Sequence, residues 1–184
     1  VALSHAILVS LLDRPQSGYD LAKRFDQTVG YFWKARHQQI YLELHKLAKL
    51  GWVHSETVPQ RARPNRIVYA ITPHGQRALD EWLRLPTEPP NIKEELLIKL
   101  FALKPANLPL LLEETRRRLC AHRQRLAQYQ QLMQQHYAQP AQLSLRRRGH
   151  YLGLRMGILI EQATLQWCEE ALQLLMPADP SQSA

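Results

Sequence analysis

The apolar period of the chain changes at Gly51. Before it, in QQIYLELHKLAKLGWV (residues 38 to 53), Ile40, Leu44 and Leu47 recur at i, i+4 and i+7, the stripe of an amphipathic helix predicted over residues 36–50. After it, WVHSETV and RIVYAIT are β-prone runs separated by PQRARPN, whose prolines and asparagine suit a loop between antiparallel strands. A helix that stops at glycine and hands the chain to a hairpin must bury one face and leave its back beside the hairpin.

Upstream, Leu3, Ile7 and Leu11 mark a first helix over residues 2–12, closed by DRPQSG. SGYDLAKRF starts a second: Ser17 is placed to cap it, Asp20 follows three residues on, and Leu21 and Phe25 face inward. Downstream, Thr72 followed by Pro73 is an N-cap and first-turn pair for a short helix. Three helices, a hairpin and a helix over residues 1–85 describe a winged helix-turn-helix domain. LPTEPPN then supplies a proline-rich linker at 86–91. Residues 92–176 carry helix signals only, and 177–184 read as a disordered tail. The expected fold is therefore mainly α with a small β-hairpin: a winged helix-turn-helix domain followed by an all-helical domain.

Two long helices are predicted there, over about 108–137 and 144–176. In the first, Leu112, Leu119, Leu126 and Met133 lie on a seam of alternating four- and three-residue steps; in the second, Leu154, Ile158, Leu165 and Leu172 do. The N-terminal half is too small to cover such seams, so a second copy of the chain is the expected partner and these eight residues the expected dimer interface. A hairpin of the two helices within one chain is the alternative. His122 and Glu161 sit on the same seams and Trp167 near one, which makes the three candidate effector-binding residues. Polar seam residues that fix register, and a tryptophan in the core, are the plainer reading.

The chain of 184 residues carries a formal charge of +8. Residues 30–66 alone hold seven Lys and Arg against two acids. A local excess of this kind is an electrostatic footprint for a polyanion. On the back of the helix over 36–50, Arg36, His37, Gln38, Gln39, Tyr41, His45, Lys46 and Lys49 offer donors, positive charge and an aromatic ring, and Lys34 precedes them. Gln and Arg can pair with purine edges in a duplex major groove, and Lys with phosphates. A solvated helix face fits that surface equally well until the hairpin is considered. Its loop holds Arg61 and Arg63 between Pro59 and Pro64, where a wing would meet the backbone or a narrow minor groove. An acidic protein partner for the same face is the competing reading.

There is no nucleophile elbow, phosphate-binding loop, zinc-binding helix motif or dinucleotide fingerprint, so neither an enzyme nor a bound cofactor is expected. The eight histidines show no metal-ligand spacing. Cys120 and Cys168 are the only cysteines and no apolar run is long enough to span a bilayer, so a reduced, cytoplasmic setting without membrane insertion is expected.

SGYDLAKRF, QQIYLELHKLAKLGWV, YAITPHGQRAL and KEELLIKLFAL together resemble the PadR-type transcriptional regulators, in the subgroup with a long helical C-terminal part. The resemblance covers about residues 2–176. It implies a bacterial dimeric regulator, usually a repressor, that binds a near-palindromic operator and is released by a small molecule or another signal. It also implies DNA contacts by Tyr19 and Tyr41 as well as by the polar face and the wing. Ala35, Arg36 and Gln38 depart from the small or hydroxylated residues and glycine usual at the start of the family's third helix.

Overall fold

Local sequence and long-range pairing meet at Ser17. The structure, a computed structural model, describes residues 2–26, 28–33, 35–59, 65–91 and 93–176. Its elements are α1 (Ala2–Leu11), β1 (Gln16–Ser17), α2 (Gly18–Asp26), α3 (His37–Lys49), β2 (Val53–Val58), β3 (Arg66–Ile71), α4 (Pro73–Trp82), α5 (Glu95–Phe101), α6 (Leu108–Tyr137) and α7 (Leu145–Leu175). They fall into two units, residues 1–89 and 90–184. The Ser17 hydroxyl accepts the Asp20 N–H at 3.1 Å, the expected cap of α2.

In the first unit, β2 and β3 form the expected antiparallel hairpin, with Val53 opposite Ile71 and Val58 opposite Arg66. The sheet has a third strand that the sequence did not suggest. Gln16 and Ser17 pair with Tyr69 and Val68, giving the order β1-β3-β2. Ile7, Leu8 and Leu11 of α1, Leu21 and Phe25 of α2, and Ile40, Leu44 and Leu47 of α3 close one core with Val53, Tyr69 and Leu79. The predicted stripe of α3 is fully buried in it. His5 of α1 stacks on Trp82 of α4 with centroids 4.6 Å apart, which ties the last helix to the first.

The corner between α3 and the hairpin is fixed by hydrogen bonds. Gly51 takes φ of +69°, the left-handed turn that ends α3. The Thr72 hydroxyl donates to the Gly51 carbonyl at 2.6 Å and accepts the Gly75 N–H at 3.0 Å, capping α4 as its sequence predicts.

In the second unit α6 and α7 run antiparallel. Arg116 approaches Met176, Arg123 bridges to Glu169 at 3.1 Å, and Tyr137 meets the edge of Tyr151. Leu112, Leu154, Ile158 and Leu172 are buried within the single chain, and Leu119, Leu126, Met133 and Leu165 are half-buried there. The heptad steps are real, and within one chain the two seams face each other as a helix pair, the alternative read from the sequence. Among the described residues no helix is long and apolar enough to cross a membrane.

Candidate nucleic-acid interface

The back of α3 is left open by the packing of its front. His37, Gln38, Gln39, Tyr41, His45, Lys46 and Lys49 are exposed, as is Leu42 at 64%. The helix begins at Arg36, whose backbone N–H donates to the Gln39 side-chain oxygen at 2.9 Å. Half of a capping box thus replaces the absent serine or threonine. Gln39 spends its acceptor on this cap, leaving its amide N–H groups for a partner, while Gln38 makes no such commitment.

The one acid of the helix is removed from the open face. Glu43 accepts from the Ser4 hydroxyl of α1 and from Lys46 at 3.1 Å. Burial raises its pKa, but the Ser4 and Lys46 hydrogen bonds and the Lys46 charge outweigh it and hold the carboxyl below the usual carboxylate range. The exposed surface of α3 therefore carries cations, amides and aromatic groups with its only carboxylate turned inward and ionised.

Beside that face a groove of about 510 Å³ is lined by Ser17, Gly18, Tyr19, Asp20, Tyr41, His45, Asn65, Arg66, Ile67 and Tyr69. The capped start of α2, the middle of α3 and the root of the hairpin thus meet in one place. Tyr19 is 64% exposed and Tyr41 38%. Tyr69 forms the floor; burial pushes its phenol up and the Tyr41 phenol adds to this. The sequence placed Tyr19, Tyr41 and His45 here. It did not single out Asp20 or Arg66, which form an ion pair across 46 residues of chain. No local pattern announces such a pair. Lys34, Arg61 and Arg63, also expected at this surface, lie outside the described residues.

The three candidate effector residues do not share one site. Both oxygens of Glu161 are occupied, one by His122 Nδ1 at 2.5 Å and the other by Arg125 at 3.0 Å. That arrangement matches the register-fixing reading of the seam. Trp167 instead lines an apolar cleft of about 440 Å³ with Leu97, Leu100, Phe101, Leu103 and Leu174. No group of three His, Cys, Asp or Glu among the described residues could hold a metal ion.

Comparison with known proteins matches residues 7–81 to the transcriptional regulator PadR-like family and residues 92–176 to the family described as virulence activator alpha C-term. A probable transcriptional regulator of Mycobacterium tuberculosis is 34% identical over 95% of this chain and 98% of its own. The negative transcriptional regulator PadR of Bacillus subtilis is 30% identical over 94% and 97%. Its structure in complex with operator DNA aligns over 96% of this chain and 100% of that one with a TM-score of 0.77, and it has also been solved with p-coumaric acid. The Vibrio cholerae virulence activator AphA is 36% identical over 94% and 97%, again with a TM-score of 0.77. With a winged helix-turn-helix unit, a helical second unit and likeness to these regulators along nearly its whole length, the chain belongs to the PadR-like family of transcriptional regulators.

Proposed function

We propose that the chain binds a near-palindromic duplex operator as a homodimer, and that it acts as a repressor released by a small-molecule effector. Residues 1–85 form the DNA-binding domain, 86–91 the linker and 92–176 the dimerisation and effector domain. In each protomer α3 lies in the major groove, where Arg36, His37, Gln38, Tyr41 and His45 meet base edges or sugars and Lys34, Lys46 and Lys49 meet phosphates. Arg61 and Arg63, in the wing over residues 59–65, contact the adjacent backbone or minor groove. The observation that carries this reading is the open face of α3 with its acid turned inward, continuous with the Tyr19–Tyr41 groove.

A dimer needs a face that the helix pair has not used. Leu145, Leu152, Met156 and Leu159 of α7 are 84%, 63%, 53% and 45% exposed, and they follow one another by seven, four and three residues. This is a second apolar stripe, and covering it with the same stripe of another copy sets the separation of the two recognition helices, roughly 34 Å for half-sites one DNA turn apart. The effector lies against Trp167. Trp167 fronts an open apolar cleft, and that cleft is within the usual size of ligand pockets. The complex of the Bacillus subtilis relative with p-coumaric acid supports an effector of the small aromatic class.

A gel shift on the DNA upstream of the protein's own gene, across a salt series, tests this. Wild type is expected to prefer that DNA over random duplex, with Lys46→Ala and an Arg61/Arg63 double alanine variant each weaker and less salt-dependent. Absence of preference over random duplex would overturn the operator claim. No duplex binding together with capture of an acidic protein would replace it. A reporter fused to the same DNA settles the sign: expression rising on deletion of the gene fits a repressor, and falling expression an activator, as the Vibrio cholerae relative is named.

A further inference from the structure

We propose that the DNA-contacting surface continues past the recognition helix and the wing into a basic cleft at the α1–α2 turn, where Arg14, Lys23 and Arg66 hold a backbone phosphodiester. The inference rests on the operator-binding reading and extends it to residues that neither the motifs nor the family resemblance single out.

The cleft has a volume of about 680 Å³ and is lined by Arg14, Pro15, Gln16, Asp20, Lys23, Arg24 and Arg66. Four of these are cationic and one is acidic. Arg24 is taken by Asp13 at 2.6 Å. Arg14 and Lys23 are exposed and make no ion pair with any described residue. Two unspent cations therefore face the same opening.

Asp20 and Arg66 belong both to this cleft and to the tyrosine-lined groove beside α3, so the two are one trough divided by the Asp20–Arg66 ion pair. Asp20 is fixed in place. Its carboxylate accepts from the Ser17 hydroxyl at 2.8 Å and its N–H donates back to the same oxygen at 3.1 Å. Arg66, the first residue of β3, pairs among the described residues with Asp20, and the two side chains are 44% and 46% exposed. Exposed ion pairs hold weakly, so exchanging the carboxylate for a phosphate costs little. The floor does not move with it: Gln16 is buried, paired with Tyr69 across the sheet, and its amide donates to the Ser10 carbonyl at 2.7 Å.

The same features select a polymer over a free anion. The cations share an open cleft with a carboxylate. A compact dianion in the cleft would meet the repulsion of Asp20, whereas successive singly charged phosphodiesters of a strand running from the α3 groove spread their charge along the trough. Such contacts position the protein without reading sequence.

The test uses the full chain, its upstream DNA and a random duplex of equal length, with an Arg14→Ala/Lys23→Ala variant and an Asp20→Asn variant. The double variant should lose affinity for both duplexes by the same factor and reduce the log–log salt slope by about two, with an unchanged melting temperature. Asp20→Asn, which keeps an acceptor for Ser17 and frees Arg66, should bind both duplexes more tightly at low salt. A double variant with wild-type affinity and slope, while Lys46→Ala is weakened, would overturn this proposal and leave the operator reading standing. Wild type without duplex binding would overturn both. Saturable binding of inorganic phosphate that Arg14→Ala/Lys23→Ala abolishes, with the slope unchanged, would reassign the cleft to a free anion.

Discussion

The ring of Tyr41 lies against the α-carbon of Gly18, so close that a β-carbon there would come within 2.5 Å of Cε1 and 3.0 Å of Cδ1. The two residues join the start of α2 to the middle of α3 at the centre of the groove. Gly18→Ala must therefore turn the Tyr41 ring outward. Tyr41 has room to move, and alanine is the better helix former, so the fold should lose less than about 1 kcal/mol. Operator affinity should drop several-fold while the thermal midpoint stays near wild type. Loss of stability without a loss of affinity at matched folded fraction would show that the ring position is structural only.

A second glycine constrains stability instead. A β-carbon at Gly75 would come 2.1 Å from the Trp52 carbonyl oxygen and 3.1 Å from Ile71 Cγ1. That carbonyl also accepts the Thr72 N–H at 3.0 Å, so the backbone cannot retreat without breaking the corner between α3 and α4. Gly75→Ala should cost roughly 1–3 kcal/mol from overpacking, and Thr72→Ala about 1 kcal/mol from the lost cap. Urea titrations should show lower midpoints at unchanged m-value, with the glycine variant the worse of the two.

These two corners also mark what could be read from sequence. The stripe Ile40, Leu44, Leu47 and the Thr72 cap are local patterns, and the structure keeps them as read. β1 is only Gln16 and Ser17, too short to show a period, and it exists because Tyr69 and Val68 lie opposite, some fifty residues on. The Asp20–Arg66 pair was hidden for the same reason. That the Gln39 oxygen caps its own helix while its amide N–H groups stay open could not be told from side-chain chemistry alone. The seam of Leu154 and Ile158 showed that a face is buried without showing what buries it.

Acid should act on the second unit through one cluster. The Leu96 N–H and then Arg118 hold Glu94 below the usual carboxylate range, and hydrogen bonds from Arg117 and Arg118 bring Glu114 to about 2. Arg118 contacts both, at 2.7 and 3.2 Å. Because the folded-state pKa values lie below the unfolded ones, the stabilisation is complete above about pH 4.5 and is lost as pH falls toward 2. Glu114 is half-buried but its partner Arg117 is 66% exposed, so the effect is modest and screened by salt. Arg118→Ala should flatten the stability–pH curve between those limits by lowering the neutral-pH midpoint modestly, with the two proteins converging as pH falls toward 2. Parallel curves for the two proteins, followed by circular dichroism, would remove Arg118 from the acid response.

The two apolar stripes of α7 make opposite predictions for association. Leu154 is fully buried in the pair with α6, so Leu154→Ala should remove roughly 2–5 kcal/mol from folding. Leu152 and Met156 are 63% and 53% exposed in the single chain, and changing either to Asp touches no buried contact of the monomer. A Leu152→Asp/Met156→Asp variant should therefore keep the wild-type helical signal and run as a monomer in sedimentation. Its operator affinity should fall toward that of one half-site, because two linked recognition helices bind at the effective concentration that the dimer imposes. A variant that stays dimeric would place the interface elsewhere. One that unfolds would mean the exposed stripe carries the fold of α7 through association, since the monomer itself gives Leu152 and Met156 little to hold.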